Sequence, residues 1–278
     1  MKNAILALLA LVAFSACSKS SDDEPTKPAE TIKKLYPAIV VEKDENGDTT
    51  KETTYEYDNE NRLAKSTITD NEEGTTEINT YTYNSTVIAL ITHTLKLDNG
   101  SKVGNGKTVF NYEGNLLTTL ADYKQNAATP YNRDTLYYQA GNTRPSVIKL
   151  NNGEEKLELT YDAAGNKTTL QDTDATSVYT VTFSYDMTHI YFNWCIPNPV
   201  ATEAIYYNCP TEITIAGKEG GVDSSNEIQT YTYEFNADGY PTKVTVKSVF
   251  DDLTPDNEDV TETTVYEITY KSFNIVKW

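Results

Sequence analysis

A short motif of alternating aromatic residues followed by a turn signal recurs along most of the chain. Each copy ends in an aromatic anchor that is followed directly by Asp, Asn, Glu or Gln. The anchors are separated by 23 to 29 residues, with a last one 50 residues further on: Tyr57, Tyr83, Tyr112, Tyr138, Tyr161, Tyr185 and Phe235. Recurrence at a nearly constant spacing indicates one structural unit copied along the chain. The chain must therefore fold as similar units that stack on their neighbours.

Each unit predicts a β-hairpin. In residues 179–185, aromatic and β-branched residues alternate with Thr and Ser, which is the period of a half-buried strand. The Asp/Asn-x-x-Gly/Asn segment that follows, as in residues 236–239, favours a chain reversal because these residues accept positive φ or bond their own backbone. A second alternating strand comes next, as in residues 243–247. About eight units predict an all-β antiparallel hairpin meander of roughly 14–16 strands.

The choice of aromatic residue indicates how such a sheet curls. One face of the meander is aromatic, and a single sheet must curl or split to remove that face from water. The sequence contains 21 Tyr against 7 Phe and 2 Trp, and each buried Tyr hydroxyl needs a partner or a water. We therefore expect a broad, partly wet concavity in which hydroxyls reach solvent. This expectation favours an open or partial barrel.

The N-terminus carries an export signal. Lys2 precedes an apolar run from Ala4 to Phe14, which is too short to span a bilayer, and Cys17 follows two small residues. This pattern resembles the lipobox of bacterial lipoproteins, and the resemblance implies that Cys17 is acylated and anchors the chain to a membrane. The alternative is an ordinary secretory signal with an incidental cysteine. We divide the chain into a signal peptide (1–16), a disordered acidic tether (17–33) and one β-hairpin-repeat domain (34–278).

The tether and the net charge indicate a location and exclude one class of partner. The cluster at residues 21–24 reads Ser-Asp-Asp-Glu and resembles the acidic export signal of surface lipoproteins in Bacteroides-like bacteria. That resemblance implies the outer membrane, with the domain facing the cell exterior; the alternative is a plain solvated linker. The formal charge of −18 repels phosphate backbones, so nucleic-acid binding is disfavoured.

The sequence resembles two families of proteins. The Tyr-Asp-x-x-Gly/Asn pattern at residues 57–63 and 161–167 is similar to the tyrosine-aspartate repeats of Rhs-type shell proteins. The lipobox, acidic tether and Tyr-rich hairpins together resemble the Bacteroides-type surface lipoproteins of unknown function described as porin-like in fold. The second resemblance implies a fold and a location but no activity. An inserted barrel is disfavoured because charged residues fall at expected outward positions, where lipid would contact them: Glu56, Glu234, Lys243, Lys247 and Glu267.

The remaining cysteines are expected to pair. If Cys17 is acylated, Cys195 and Cys209 are left together in an oxidising compartment, and we predict a disulfide between them. In the chain-entropy model this closure would stabilise the fold by about 3 kcal/mol. The alternative is two unpaired buried thiols, because the geometry that a disulfide requires cannot be checked from sequence.

Motifs for catalysis are absent from the sequence. His93 and His189 lie far apart and outside any metal-binding or catalytic pattern, and neither a nucleophile elbow nor a phosphate loop occurs. We predict no enzymatic activity and no cofactor. Residues 44–48 resemble the start of a calcium loop but lack its final glutamate. A denser acidic loop offers weak metal candidates, although solvated hairpin ends are the plainer interpretation: Asp251, Asp252, Asp256, Glu258 and Asp259.

Two hypotheses for function follow. The first is a non-catalytic, surface-displayed binding module in which aromatic side chains hold a glycan or an apolar ligand. The second is a structural or adhesive envelope protein that acts through unknown protein partners, because repeated hairpins offer long surfaces and exposed strand edges.

Overall fold

A computed structural model describes residues 31–174, 176–196, 207–252 and 260–276. The predicted signal peptide and most of the predicted tether, Cys17 included, lie outside the described residues, as do the weak metal candidates Asp256, Glu258 and Asp259. The first strand begins at Thr31, so the last three residues of the predicted tether belong to the folded domain.

The described residues form sixteen strands and two short 3₁₀ turns. The strands are β1 (Thr31–Lys43), β2 (Thr49–Tyr57), β3 (Leu63–Asp70), β4 (Thr75–Asn84), β5 (Val87–Leu97), β6 (Lys102–Glu113), β7 (Leu116–Lys124), β8 (Asn132–Tyr138), β9 (Pro145–Leu150), β10 (Glu155–Tyr161), β11 (Lys167–Thr173), β12 (Ser177–Ile190), β13 (Asn208–Glu219), β14 (Val222–Phe235), β15 (Pro241–Asp252) and β16 (Val260–Val276). The 3₁₀ turns are Asn151–Gly153 and Phe192–Cys195.

The strands form a closed barrel. Each strand pairs antiparallel with its neighbours in sequence, and β1 pairs with β16 from Thr31↔Val276 to Lys43↔Val265. The all-β antiparallel meander and its strand number are confirmed, but the expected open or partial barrel is wrong. The two terminal strands are long, and their unpaired edges satisfy their backbone groups by joining. The apolar run of residues 35–41 in β1 is buried at Leu35, Tyr36 and Val40.

Four of the hairpins share one turn. In the turn at Asp58, the carboxylate accepts hydrogen bonds from the backbone N–H groups of Glu60 and Arg62, both at 2.9 Å. The fourth turn residue has positive φ: 61° at Asn61 and 91° at Gly165. The turns that begin at residues 44, 162 and 236 also have an Asp or Asn at their first position, whose side-chain oxygen accepts from backbone N–H groups of the turn. Side-chain bonds to the local backbone and tolerance of positive φ thus make these turns, as the motif predicted.

Five of the aromatic anchors, together with Tyr233 and Tyr270, lie inside the barrel and form a ring of hydrogen bonds. In seven places within the described residues, a Tyr hydroxyl donates to a backbone carbonyl of the preceding hairpin. The acceptor is the residue that pairs with the aromatic residue at the turn of that hairpin, as Leu63 pairs with Tyr57 and accepts from Tyr83. The bonds measure 2.6 to 3.0 Å and run from Tyr57 to Pro37, Tyr83 to Leu63, Tyr112 to Ile88, Tyr138 to Leu117, Tyr161 to Pro145, Tyr233 to Pro210 and Tyr270 to Pro241. We call these seven bonds the anchor ring.

The geometry of the strands explains the anchor ring. A register shift, the mark of a β-bulge, accompanies each acceptor residue, as between Glu56 and Tyr57 opposite Leu63. The residue left out of the ladder is the one after each acceptor, as Ala64 follows Leu63, so the ladder is disrupted beside the acceptor carbonyl, which takes a side-chain hydroxyl instead. Four acceptors are prolines, which have no N–H to lose from the ladder. The expected wet concavity is therefore wrong for these seven tyrosines, because their hydroxyls bond backbone carbonyls.

Two hydrophobic clusters fill the interior around the ring. The first is built by inward residues of β5 to β11, among them Phe110 and Leu157. The second combines inward residues of β1, β15 and β16 with Tyr191 and Phe192 from the β12–β13 connection. The Phe192 ring lies 6.3 Å from that of Tyr266. Residues 191–195 therefore fold into the barrel, and we call them the plug. A sixteen-stranded barrel is too wide for wall side chains alone to fill, and the plug supplies apolar volume on this side.

The predicted disulfide is not found. Cys195, in the plug, and Cys209, at the start of β13, are both free thiols. The Cys195 Sγ atom donates to the carbonyl of Tyr191 at 3.5 Å, and Cys209 is fully buried. Burial raises the pKa of each thiol to about 12, which keeps both in the protonated, unreactive form. The alternative of two unpaired thiols is what the structure contains.

The outer face of the wall is polar and carries cross-strand ion pairs. Three such pairs join neighbouring strands at 2.7 to 3.2 Å: Lys65–Glu56, Lys243–Glu234 and Lys43–Glu267. Exposed pairs of this kind contribute about 0–1 kcal/mol each, so their value lies in keeping the outer face hydrophilic. None of the helical segments in the described ranges is long and apolar enough to cross a bilayer.

Candidate functional site

A line of hydrogen-bonded polar side chains crosses five neighbouring strands on the inward face of the wall. The strand register places these residues side by side from β4 to β8, away from the anchor ring along the same strands. We call them the polar line: Glu77, Asn79, His93, Thr108, Asp122 and Asn132.

His93 is the centre of the polar line. Its Nδ1 atom lies 2.6 Å from Oδ1 of Asn79 and 3.6 Å from Oε1 of Glu77. Its Nε2 atom lies 2.8 Å from the Thr108 hydroxyl. The ring is thus fixed from both sides, while its side chain stays 32 % exposed and can still be reached.

The far half of the line is built around a carboxylate. The Thr108 hydroxyl donates to Oδ1 of Asp122 at 2.6 Å, and Asn132 donates to Oδ2 of Asp122 at 3.2 Å. Thr108 thus donates to Asp122 and accepts from His93. The pKa of Glu77 lies below its usual range, because the contact with His93 lowers it by more than burial raises it. Carboxylates therefore stand at both sides of His93, Glu77 beside Nδ1 and Asp122 beyond Thr108.

A cavity of about 540 Å³ opens beside the polar line. Glu77, His93 and Asp122 line it, and Gly106 pairs with His93 across β5 and β6. A Cβ atom at position 106 would lie 3.0 Å from the carbonyl of Tyr123. Glycine at this position therefore lets the neighbouring backbone approach and leaves room opposite the imidazole.

Aromatic and cationic side chains complete the cavity wall. Tyr131 is 60 % exposed, and Nζ of Lys124 lies 5.7 Å from its ring centroid. Nζ of Lys107 lies 4.9 Å from the ring of Tyr123. Cations over aromatic faces hold both parts in place. The wall thus combines donors, acceptors, two positive charges and an accessible ring.

The polar line lacks the arrangement of a nucleophilic catalyst. The contact between His93 and Thr108 has the distance of a base and a nucleophile, but the hydroxyl proton of Thr108 points to Asp122. Thr108 is also only 8 % exposed, so a substrate cannot reach its oxygen. The arrangement suits hydrogen bonding to a bound molecule.

The other histidine lies apart from this site. His189, at the end of β12, places Nδ1 2.6 Å from Oδ2 of Asp186 and stacks on Phe235 with ring centroids 3.9 Å apart. The pKa of Asp186 is lowered, because bonds from Thr188 and His189 outweigh the effect of burial. This contact supports the loop that leaves β12, and the structure does not bring the two histidines together.

The predicted metal candidates form no site in the part of the chain that is described. Within residues 31–174, 176–196, 207–252 and 260–276, no group of three or more His, Cys, Asp or Glu side chains is placed to hold a metal ion. Asp251 lies in β15, as does the backbone of Asp252. In the calcium-like segment, Asp44 is the first residue of a turn, and its carboxylate accepts from the N–H of Asp48 at 2.8 Å.

Sequence reasoning missed the polar line. His93 was considered only as a single histidine, although polar residues at inward positions of neighbouring hairpins were visible at Glu77, Thr108 and Asp122. The repeat would have placed them side by side once its register was known. The register depends on bulges beside the anchors, which the sequence does not display.

The chain is similar to solved structures of porin-like proteins. A porin-like protein from Bacteroides uniformis ATCC 8492 is 15% identical, with 84% of this chain and 98% of that chain covered and a TM-score of 0.49. A porin-like protein from Bacteroides vulgatus ATCC 8482 is 14% identical, with 85% and 99% covered and a TM-score of 0.40.

No protein-family model matches the chain. No curated protein matches it either.

Proposed function

We propose that the protein is a non-catalytic binding module of the bacterial envelope and that its ligand is a glycan held in the cavity beside the polar line. The observation that carries the proposal is the alignment of Glu77, His93 and Asp122 along the wall of a cavity of about 540 Å³. Cavities of roughly 300 Å³ or more hold small ligands.

The chemistry of the wall favours a glycan over an apolar ligand. Sugar hydroxyls both donate and accept, and the wall offers carboxylates, an imidazole and an ammonium group within one cavity. The exposed ring of Tyr131 offers a face on which a pyranose can stack. An apolar ligand would leave these polar groups without water or partners, which is costly.

The envelope location is part of the proposal and rests on the N-terminal sequence. An acylated Cys17 would hold the barrel to the outer membrane, with the acidic tether directing it to the cell exterior. The polar outer face, with its cross-strand ion pairs such as Lys65–Glu56, supports a barrel beside the membrane and not within it.

The alternative, a structural protein acting through protein partners, loses one of its two supports. That hypothesis rested on the long surfaces of repeated hairpins and on exposed strand edges, and only the second support is affected. Each described strand is paired on both sides, so the closed wall offers no free edge in the described residues for another chain to extend.

A glycan array followed by calorimetry tests the proposal. We expect the purified protein to bind an oligosaccharide on the array. Titration of that oligosaccharide should show an affinity about tenfold weaker or more for His93→Ala, because the ring that holds Asn79, Glu77 and Thr108 in place is lost. His189→Ala is the matched control and should bind like wild type. Absence of any glycan ligand, or equal losses in both variants, would contradict the proposal.

A further inference from the structure

Two arginines occupy the same position of the hairpin repeat. Arg62 directly precedes Leu63 at the start of β3, and Arg144 directly precedes Pro145 at the start of β9. In both hairpins, the carbonyl after the arginine accepts the hydroxyl of the next tyrosine in the anchor ring. In both, the guanidinium lies over the ring of that same tyrosine. The turn before Arg144 is one residue longer than the turn before Arg62, so we compare the two sites by the groups that surround each arginine.

Arg62 is neutralised within its own hairpin. Its Nε and Nη2 atoms each lie 2.8 Å from Oδ2 of Asp58. Its Nη1 atom lies 2.9 Å from Glu60 and donates to the carbonyl of Ser85 at 2.9 Å. Burial raises the pKa of Asp58, but bonds from the backbone and side chain of Arg62 outweigh that effect and hold it below its usual range. This arginine has no free hydrogen-bonding face to offer a ligand.

Arg144 lacks both carboxylates. The positions that correspond to Asp58 and Glu60, counted from the anchoring tyrosine, hold Gln139 and Gly141. No hydrogen bond or ion pair joins the Arg144 guanidinium to another residue of the described ranges. The sequence keeps the arginine in this hairpin but replaces the groups that would neutralise it.

The Arg144 guanidinium is nevertheless held in place. Its Cζ atom lies 5.8 Å from the ring centroid of Tyr161. Its flat face lies against Gly165, where an added Cβ atom would overlap Cζ and both terminal nitrogens. Position 165 also requires glycine for its φ of 91°. A cation fixed between a ring and a bare backbone is preorganised, so a ligand need not order it.

A cavity of about 500 Å³ lies beside Arg144. Its wall consists mainly of amide and hydroxyl side chains from the β8–β9 turn and the adjoining strands: Gln139, Asn142, Thr143, Ser146 and Thr160. Gln139, Asn142 and Thr143 are exposed, so the cavity opens to solvent. Asp162 also lines it, but Oδ1 accepts from the N–H of Asn166 at 2.8 Å and Oδ2 from its side-chain amide at 3.0 Å. Both Asp162 oxygens are thus used inside their own turn.

We propose that this cavity is a second binding site and that it takes the carboxylate of an acidic sugar, with the carboxylate on Arg144. A guanidinium fork pairs with a carboxylate through two parallel hydrogen bonds. The amide and hydroxyl groups around it suit the remaining sugar hydroxyls. The site is distinct from the polar line, since it is built on hairpin turns at the opposite end of the strands.

Calorimetry with three probes tests the inference: a trisaccharide of galacturonic acid, the neutral trisaccharide maltotriose, and glycerol 3-phosphate. We expect the galacturonate trisaccharide to bind wild type. The affinity should fall about tenfold or more in Arg144→Gln. The affinity should fall similarly in Gln139→Asp. This variant keeps Arg144 but places a carboxylate next to it, as Asp58 is placed next to Arg62. Arg62→Gln is the matched control and should bind within about twofold of wild type.

The outcomes separate this site from the polar line. His93→Ala should leave galacturonate binding at Arg144 unchanged. Failure of the polar line to bind a glycan would therefore leave this second site standing. The inference is overturned if the galacturonate trisaccharide does not bind wild type, or if Arg144→Gln and Gln139→Asp bind it as wild type does. It is equally overturned if maltotriose binds through Arg144 as tightly as the galacturonate trisaccharide does, or if glycerol 3-phosphate binds through Arg144 and the galacturonate does not.

Discussion

The anchor ring and the polar line lie on the same strands but follow opposite rules. In the anchor ring, every participating hairpin repeats one bond, a Tyr hydroxyl on a carbonyl released by a bulge, as in Tyr83 to Leu63. In the polar line, each strand contributes a different residue, from Glu77 on β4 to Asn132 on β8. One end of the repeat is therefore constrained by a shared structural role. The other end is free to vary, which is where a binding site can arise.

The comparison predicts a large difference in stability between the two regions. Tyr57→Ala removes a ring that packs 5.4 Å from Tyr36 and 5.3 Å from Phe273, together with the bond to Pro37. We expect the free energy of unfolding to fall by about 3 kcal/mol. His93→Ala removes a partly exposed ring and should cost about 1 kcal/mol. Equilibrium unfolding in urea measures both, and equal losses would mean that the polar line is structural too.

Single hydroxyls of the anchor ring are expected to make smaller, independent contributions. Tyr138→Phe and Tyr270→Phe each remove one bond to a carbonyl, at 2.7 and 2.6 Å. Each should lower the free energy of unfolding by about 1 kcal/mol, and the double variant should lose the sum to within about 0.5 kcal/mol because the two bonds lie on separate hairpins. Urea unfolding of the three variants measures this.

The control for these hydroxyls is next to one of them in sequence. Tyr137 points outward and is 45 % exposed, so Tyr137→Phe should change the unfolding free energy by less than about 0.5 kcal/mol. A loss in Tyr137→Phe equal to that in Tyr138→Phe would show that the ring bonds have no special role.

The same contrast explains what the sequence could predict. Alternation and turn residues repeat at every hairpin, so the strands, their antiparallel order and the turns at Asp58 and Asn236 followed from local chemistry. Closure did not, since it depends on the pairing of β1 with β16, which are more than 200 residues apart. The use of the tyrosine hydroxyls, as at Tyr112, also depends on bulges that have no sequence mark.

The binding sites were less predictable than the fold. The cavity at the polar line requires the register of five strands, whereas each of its residues, taken singly, is an ordinary strand residue. The plug came from a connection whose signals were a few aromatic residues, Tyr191 and Phe192 among them. The pairing expected of Cys195 and Cys209 was wrong: Cys209 packs in the second hydrophobic cluster, the Cys195 thiol bonds the carbonyl of Tyr191, and burial stabilises the protonated form of both.

The smallest expected effect is on how the free energy of unfolding depends on pH. It is measured at two carboxyl groups: Asp162, in a turn at the anchor-ring end, and Glu77, in the polar line. The pKa of Asp162 is lowered, since hydrogen bonds from the side chain and backbone of Asn166 outweigh burial. A carboxyl whose folded pKa is depressed stabilises the fold above its unfolded pKa, and this contribution is lost as pH falls through the folded value. Asp162→Asn should therefore weaken the acid dependence below about pH 4 and leave stability at pH 7 within about 1 kcal/mol of wild type.

The chain itself supplies the reason to expect a mild effect from Asp162→Asn. Asn236 holds the equivalent position in another turn and accepts the same two backbone bonds, from Asp238 and Tyr240, both at 3.0 Å. An amide oxygen can therefore replace the carboxylate without breaking the turn.

Glu77→Gln also removes a carboxyl group with a lowered pKa, but it takes an anionic partner away from His93. It should therefore lower the free energy of unfolding at neutral pH more than Asp162→Asn does. Urea unfolding at pH 3 and pH 7 measures both variants. A larger neutral-pH loss in Asp162→Asn would contradict the view that the anchor-ring end is held by bonds that do not depend on charge.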